Sequence, residues 1–143
     1  MSGAGAAAHT MRISPMIWIV DNIRWIMLVS GVLTCTMLYA AIAPRAALQS
    51  TFGESLEGPV AGIIVRNWGA LIGLIGGMLI YGAWVPAVRP VVLVVAATSK
   101  LVFIGLVIAQ GRRYLRRQAG VAVAVDLVWV VVFVLYLVAG GTA

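Results

Sequence analysis

Four apolar runs dominate this chain, and each is close to the ~20 residues with which an α-helix crosses ~30 Å of hydrocarbon. They cover about residues 22–43, 59–84, 90–110 and 119–139. Between them stand residues that stop and start helices: Pro44 with Arg45, then Pro59, Pro86 and Gly111, with Gly140 and Gly141 after the last. The expected fold is all-α, an integral membrane four-helix bundle in up-down-up-down order. Only residues 85–89 separate the second run from the third. Those two should form an antiparallel hairpin, the tightest pair in the bundle.

Composition points to the same class. Hydrophobic residues make up 63% of the chain and charged residues 10%, against roughly 45–50% and 25% in a soluble domain. With a mean hydropathy of +1.09, a soluble molecule could not cover its surface, so lipid is the expected outer solvent. The chain has 143 residues, which suits one domain over 17–143 after a disordered or interfacial leader at 1–16. Residues 1–10 read as disordered, and 11–20 as an interfacial helix or an extension of the first span. Ala41-Ile42-Ala43 looks like a signal-peptide cleavage site. Pro44 would follow that cut and the apolar run is too long, so the first run reads as a true span.

Net charge is +6. The positive residues flank apolar runs, which points to the bilayer and its anionic lipids as partners and excludes nucleic acid. Loops 44–58 and 111–118 carry Arg45, Arg112, Arg113, Arg116 and Arg117, whereas the opposite side carries Arg12, Arg24 and Arg89. Arg24 is expected to be compensated by Asp21, one helical turn away. The arginine-rich 111–118 loop is therefore placed in the cytoplasm of a bacterial inner membrane, with both termini periplasmic.

Gly69, Gly73 and Gly77 recur every fourth residue in the second span, giving two overlapping GxxxG motifs. A smooth stripe lets another backbone approach closely where lipid offers no hydrophobic drive. It serves either packing within the bundle or a seam with a second copy or a partner subunit. Gly62 extends the stripe beyond Arg66.

Arg66, Lys100 and Asp126 lie inside spans, where a charge costs at least ~2.5–3.5 kcal/mol. At 1.5 Å per residue, Arg66 and Asp126 lie ~10 Å from the cytoplasmic ends of their spans and Lys100 ~15 Å from that face. Matched depth predicts a buried cluster, with Asp126 bridged to Arg66 or Lys100. Such a cluster either fixes helix order or binds an anion or relays protons. Two cations against one carboxylate leave a surplus positive charge.

Absences narrow the function further. The one histidine, His9, lies in the leader, and the chain has one cysteine, Cys35, and four acidic residues. No cofactor and no metal site are therefore expected: haem ligation, iron–sulfur clusters and carboxylate metal centres lack their ligands. Nucleophilic triads and phosphate loops are missing too, so no catalytic residue is assigned and the chain does not read as an enzyme.

The stretches Phe52-Gly53-Glu54-Ser55, Val65-Arg66-Asn67-Trp68-Gly69-Ala70, Met78-Leu79-Ile80-Tyr81-Gly82 and Ser99-Lys100 fall within residues 52–110. In these the chain resembles a group of small bacterial four-span membrane proteins of unknown function. That resemblance implies the bundle and the emphasis on Arg66 and Lys100, and supplies no activity. Two readings follow. The first is a non-catalytic accessory or assembly subunit, or a homo-oligomeric scaffold, docking through the glycine stripe. The alternative is a small transporter or lipid/anion-binding protein that uses the Arg–Lys–Asp cluster.

Overall fold

A computed structural model describes the backbone over residues 3–140 and the side chains over residues 15–140. The elements in chain order are α1 (Gly3–Cys35), α2 (Leu38–Ile42), α3 (Pro44–Phe52), α4 (Pro59–Trp84), a 3₁₀ turn (Pro86–Val88), α5 (Arg89–Ala109), α6 (Arg112–Leu115) and α7 (Gln118–Gly140). No strand occurs among the described residues. Among the described residues, four helical stretches are long and apolar enough to cross a membrane: Pro15–Ile42, Pro59–Trp84, Pro86–Ala109 and Gln118–Gly140. The first begins earlier than the apolar run alone suggests, because α1 continues through the residues read as a leader. α3 occupies the first half of the 44–58 loop.

The helices pair by sequence halves. α1 packs most closely on α4 and α5 on α7, while α1 also touches α7 and α4 touches α5. The expectation that the second and third spans form the tightest pair is therefore incorrect. Glycine decides this. A Cβ on Gly69 would lie 2.6 Å from the Ala41 nitrogen, and one on Gly76 would lie 2.8 Å from the Gly31 oxygen. Gly73 is covered by the Leu38 side chain. Backbones this close need residues without side chains, so the stripe serves α1 and α2 of the same chain. Gly62 and Gly77 do not belong to it, for a Cβ on either would meet nothing within 4 Å.

Packing differs between the two ends. At the end of the 86–88 turn, Ile23, Met27, Leu79, Ala83, Leu93, Ala96 and Phe133 form one core shared by α1, α4, α5 and α7. At the other end, called here the arginine end, the core splits. Ile104, Val107, Ala119 and Val123 join α5 to α7, while Ala40, Ala47, Leu48 and Val65 join α2, α3 and α4. Phe52 packs against both clusters.

Two arginines close backbone ends. Arg89 donates from Nε to the Gly82 carbonyl at 2.9 Å and from Nη2 to the Ala83 carbonyl at 2.8 Å. These carbonyls lie in the last turn of α4, where helical donors run out. Arg24 lies over the Trp84 ring, with its guanidinium carbon 3.7 Å from the ring centroid. The expected pairing with Asp21 is absent among the described residues, so the cation is held by a ring face instead.

Candidate functional site

The first span is broken after Cys35, towards its arginine end, and the break shapes the site. Thr36 and Met37 donate to the carbonyls three residues back, Leu33 at 3.2 Å and Thr34 at 3.1 Å. Tyr39 and Ala40 repeat the pattern on Thr36 at 3.1 Å and Met37 at 2.9 Å. The helix is locally tightened to 3₁₀ geometry. Threonine hydroxyls contribute by bonding back to the chain: Thr34 Oγ1 donates to the Ser30 carbonyl at 2.7 Å and Thr36 Oγ1 to Leu33 at 2.5 Å. Such back-bonds favour bends within helices.

Opposite this break stand Lys100 on α5 and Asp126 on α7. Their side chains are 10% and 19% exposed, and Lys100 Nζ donates to Asp126 Oδ1 in an ion pair. The same ammonium faces Thr34 Oγ1 at 3.5 Å. Since Thr34 gives its own proton to Ser30, its oxygen lone pair is left for the ammonium. Three spans thus meet on one cation.

The pair lines a cavity of about 570 Å³. Thr34, Thr36, Trp68, Ser99, Phe103 and Trp129 form its walls, and towards the arginine end it reaches Thr51 and Gln118. It lies where the core divides, between the α5–α7 cluster and the α2–α3–α4 cluster. Beyond Ile75, Ala96 and Trp129, the undivided core closes the other end. An ammonium carries three donors and a carboxylate two oxygens. Among the described residues, only two partners are drawn from Lys100 and one from Asp126, so both groups keep capacity for something in the cavity.

Beside Thr51, a clasp joins α3, α4 and α6. Phe52 at the end of α3 meets Trp68 and Tyr114, with ring centroids 6.3 Å and 5.8 Å away. In the next turn, Glu54 accepts from Tyr114 at 3.2 Å and pairs with Arg113 at 2.5 Å. Gly53 adopts φ 72°, and a Cβ there would lie 3.0 Å from the Arg117 guanidinium carbon.

Arg66 is not part of this site. It is exposed, and its Nη1 donates to the Ala41 carbonyl at 2.7 Å. The physical reason lies in the α2–α3 junction. Pro44 offers no N–H to α2, and Ala43 leaves helical geometry with φ −123° and ψ 68°, so the last carbonyls of α2 lose their helical donors. Arg66 supplies one. The expected three-charge cluster is therefore a balanced pair, Lys100 with Asp126, and a separate cation. Sequence reasoning did not find Thr51 or Gln118 at the cavity. Thr34 and Thr36 carry the signal that could have found the first-span wall, as hydroxyls in an apolar run. Among the described residues no three His, Cys, Asp or Glu side chains come together as metal ligands would.

No family model, curated protein or solved structure matches this chain. The reading of the site therefore rests on its geometry. A mostly apolar cavity with one ammonium and one carboxylate on its wall suits binding of a small polar or charged solute.

Proposed function

We propose that this chain is a small non-catalytic membrane transporter or solute-binding protein, with the Lys100–Asp126 pair as the polar contact for its ligand. In this reading the four apolar helices cross a bacterial inner membrane as an up-down-up-down bundle. The arginine end faces the cytoplasm and the termini face the periplasm, in line with the positive-inside rule. The observation that carries the reading is that the buried pair lines a cavity reaching one end of the helices. Ionisable groups at membrane depth that line cavities commonly mark substrate or ion pathways. Closure at one end and division of the core at the other resemble one side of an alternating-access cycle.

The accessory-subunit or homo-oligomer reading has less support. Of the glycines expected to carry a docking seam, Gly69 and Gly73 are already covered by α2, and Gly77 alone has open space beside it.

Cysteine accessibility tests the proposal. In a Cys35→Ala background, Ala122→Cys places a thiol on the cavity wall. Labelling by a membrane-impermeant thiol reagent from the arginine side alone is the expected result. Absence of labelling from either side, with a surface cysteine at Ser55 reacting normally, would remove the pathway and this function with it.

A further inference from the structure

A second concavity, about 640 Å³, lies on the outer side of α3 and the first turns of α4. Arg45 and Arg66 contribute to its lining, beside the apolar side chains of Leu48, Leu56 and Val65. No acidic residue lines it. Both arginines are exposed. Arg66 uses one Nη to cap Ala41, and a guanidinium has five donors, so most of its capacity is left. Among the described residues, no hydrogen bond or ion pair engages the Arg45 guanidinium. Arg45 also stands in the first turn of α3, where the helix dipole disfavours a cation, and neither α3 nor α4 has an acid in its first turn.

Two guanidiniums over an apolar floor, at the end of a membrane-length helix, match a phosphate joined to an acyl chain. We propose that this groove binds the headgroup of an anionic phospholipid, with Arg45 and Arg66 on the phosphate and Leu48, Leu56 and Val65 against the upper chain. Arg66 lies about 10 Å along α4 from Pro59, at 1.5 Å per residue. The phosphate is therefore drawn inward along the groove from Arg45 towards Arg66. Guanidinium suits this task because its planar fork grips phosphate oxygens in pairs. The site is independent of the Lys100–Asp126 cavity and stands whether or not that cavity carries a solute.

Native mass spectrometry of the full chain in mild detergent reads the site directly. The probes are phosphatidylglycerol, phosphatidylcholine and glycerol 1-phosphate. Phosphatidylglycerol should stay bound in preference to phosphatidylcholine, and Arg45→Gln should weaken it about five-fold, the usual worth of one basic residue at a lipid surface. Arg66→Lys, which keeps the charge and a donor for Ala41, should weaken it less than Arg66→Gln. Arg116→Gln, outside the groove, is the control and should leave binding unchanged. Equal loss in the control, or unchanged binding in Arg45→Gln, would overturn the site. Glycerol 1-phosphate binding as tightly as the lipid would overturn the lipid assignment, because the apolar floor would then contribute nothing.

Discussion

Gly31 and Gly76 meet backbone to backbone, each standing where a side chain on the other would have to go. A Cβ on Gly31 would fall 2.9 Å from the Gly76 oxygen, and one on Gly76 would fall 2.8 Å from the Gly31 oxygen. Neither backbone can give way without parting α1 from α4. Gly76→Ala should therefore lower stability by ~1–3 kcal/mol, the usual cost of overpacking. Gly77→Ala, one residue on, should leave it unchanged or slightly raised. Thermal unfolding of both variants in the same detergent separates the two faces of the helix, and equal losses would contradict this packing.

The ion pair gives a sharper comparison. Asp126→Asn or Lys100→Met alone should cost up to ~3–5 kcal/mol, because each strands a mostly buried charge. Combining the two should recover part of that loss. Asp126→Asn combined with Arg66→Gln should recover none, since Arg66 serves Ala41. A double-mutant cycle of melting temperatures decides which cation is the partner.

Arg89 holds two carbonyls of α4 with one guanidinium. Arg89→Gln should destabilise the turn end by ~1–3 kcal/mol through carbonyls left without donors. Arg89→Lys should restore less than half, because an ammonium is a point donor where the fork spans both acceptors. Hydrogen exchange at the end of α4 would localise the effect.

At the opposite end, Phe52 joins the two parts of the divided core. Phe52→Ala should change overall stability modestly yet speed thiol labelling of the Ala122→Cys probe several-fold. Glu54→Gln should act in the same direction but more weakly, since exposed ion pairs contribute only ~0–1 kcal/mol. Labelling rates unchanged in both variants would show that the clasp does not govern entry.

Much of the fold was legible in the sequence, for one reason. Spans need length and apolarity, and both are read directly from residue order. Lys100 and Asp126 were also placed near each other by depth alone, because helical rise converts position into distance. Angle was less legible. A four-residue repeat drifts ~40° per step around a helix with 3.6 residues per turn, so Gly77 has rotated well away from Gly69. Gly76, three residues after Gly73, turns back onto the face. Arg66 was misplaced for another reason: its acceptor exists only because α2 ends early at Ile42. The break after Cys35 contains neither Pro nor Gly. It arises from threonine back-bonding and tightened turns, which no periodicity records.

The capping of Ala41 by Arg66 has a counterpart in the other half of the chain. An arginine or lysine crossing alone is costly to a single inserting helix. Here each such charge finds its partner on an adjacent span: Arg66 on the one before, Lys100 on the one after. The closest helix pairs, α1 with α4 and α5 with α7, divide the chain at the same point. Each half of the chain thus supplies the partner of its own deeply placed cation, and the 86–88 turn joins the two halves.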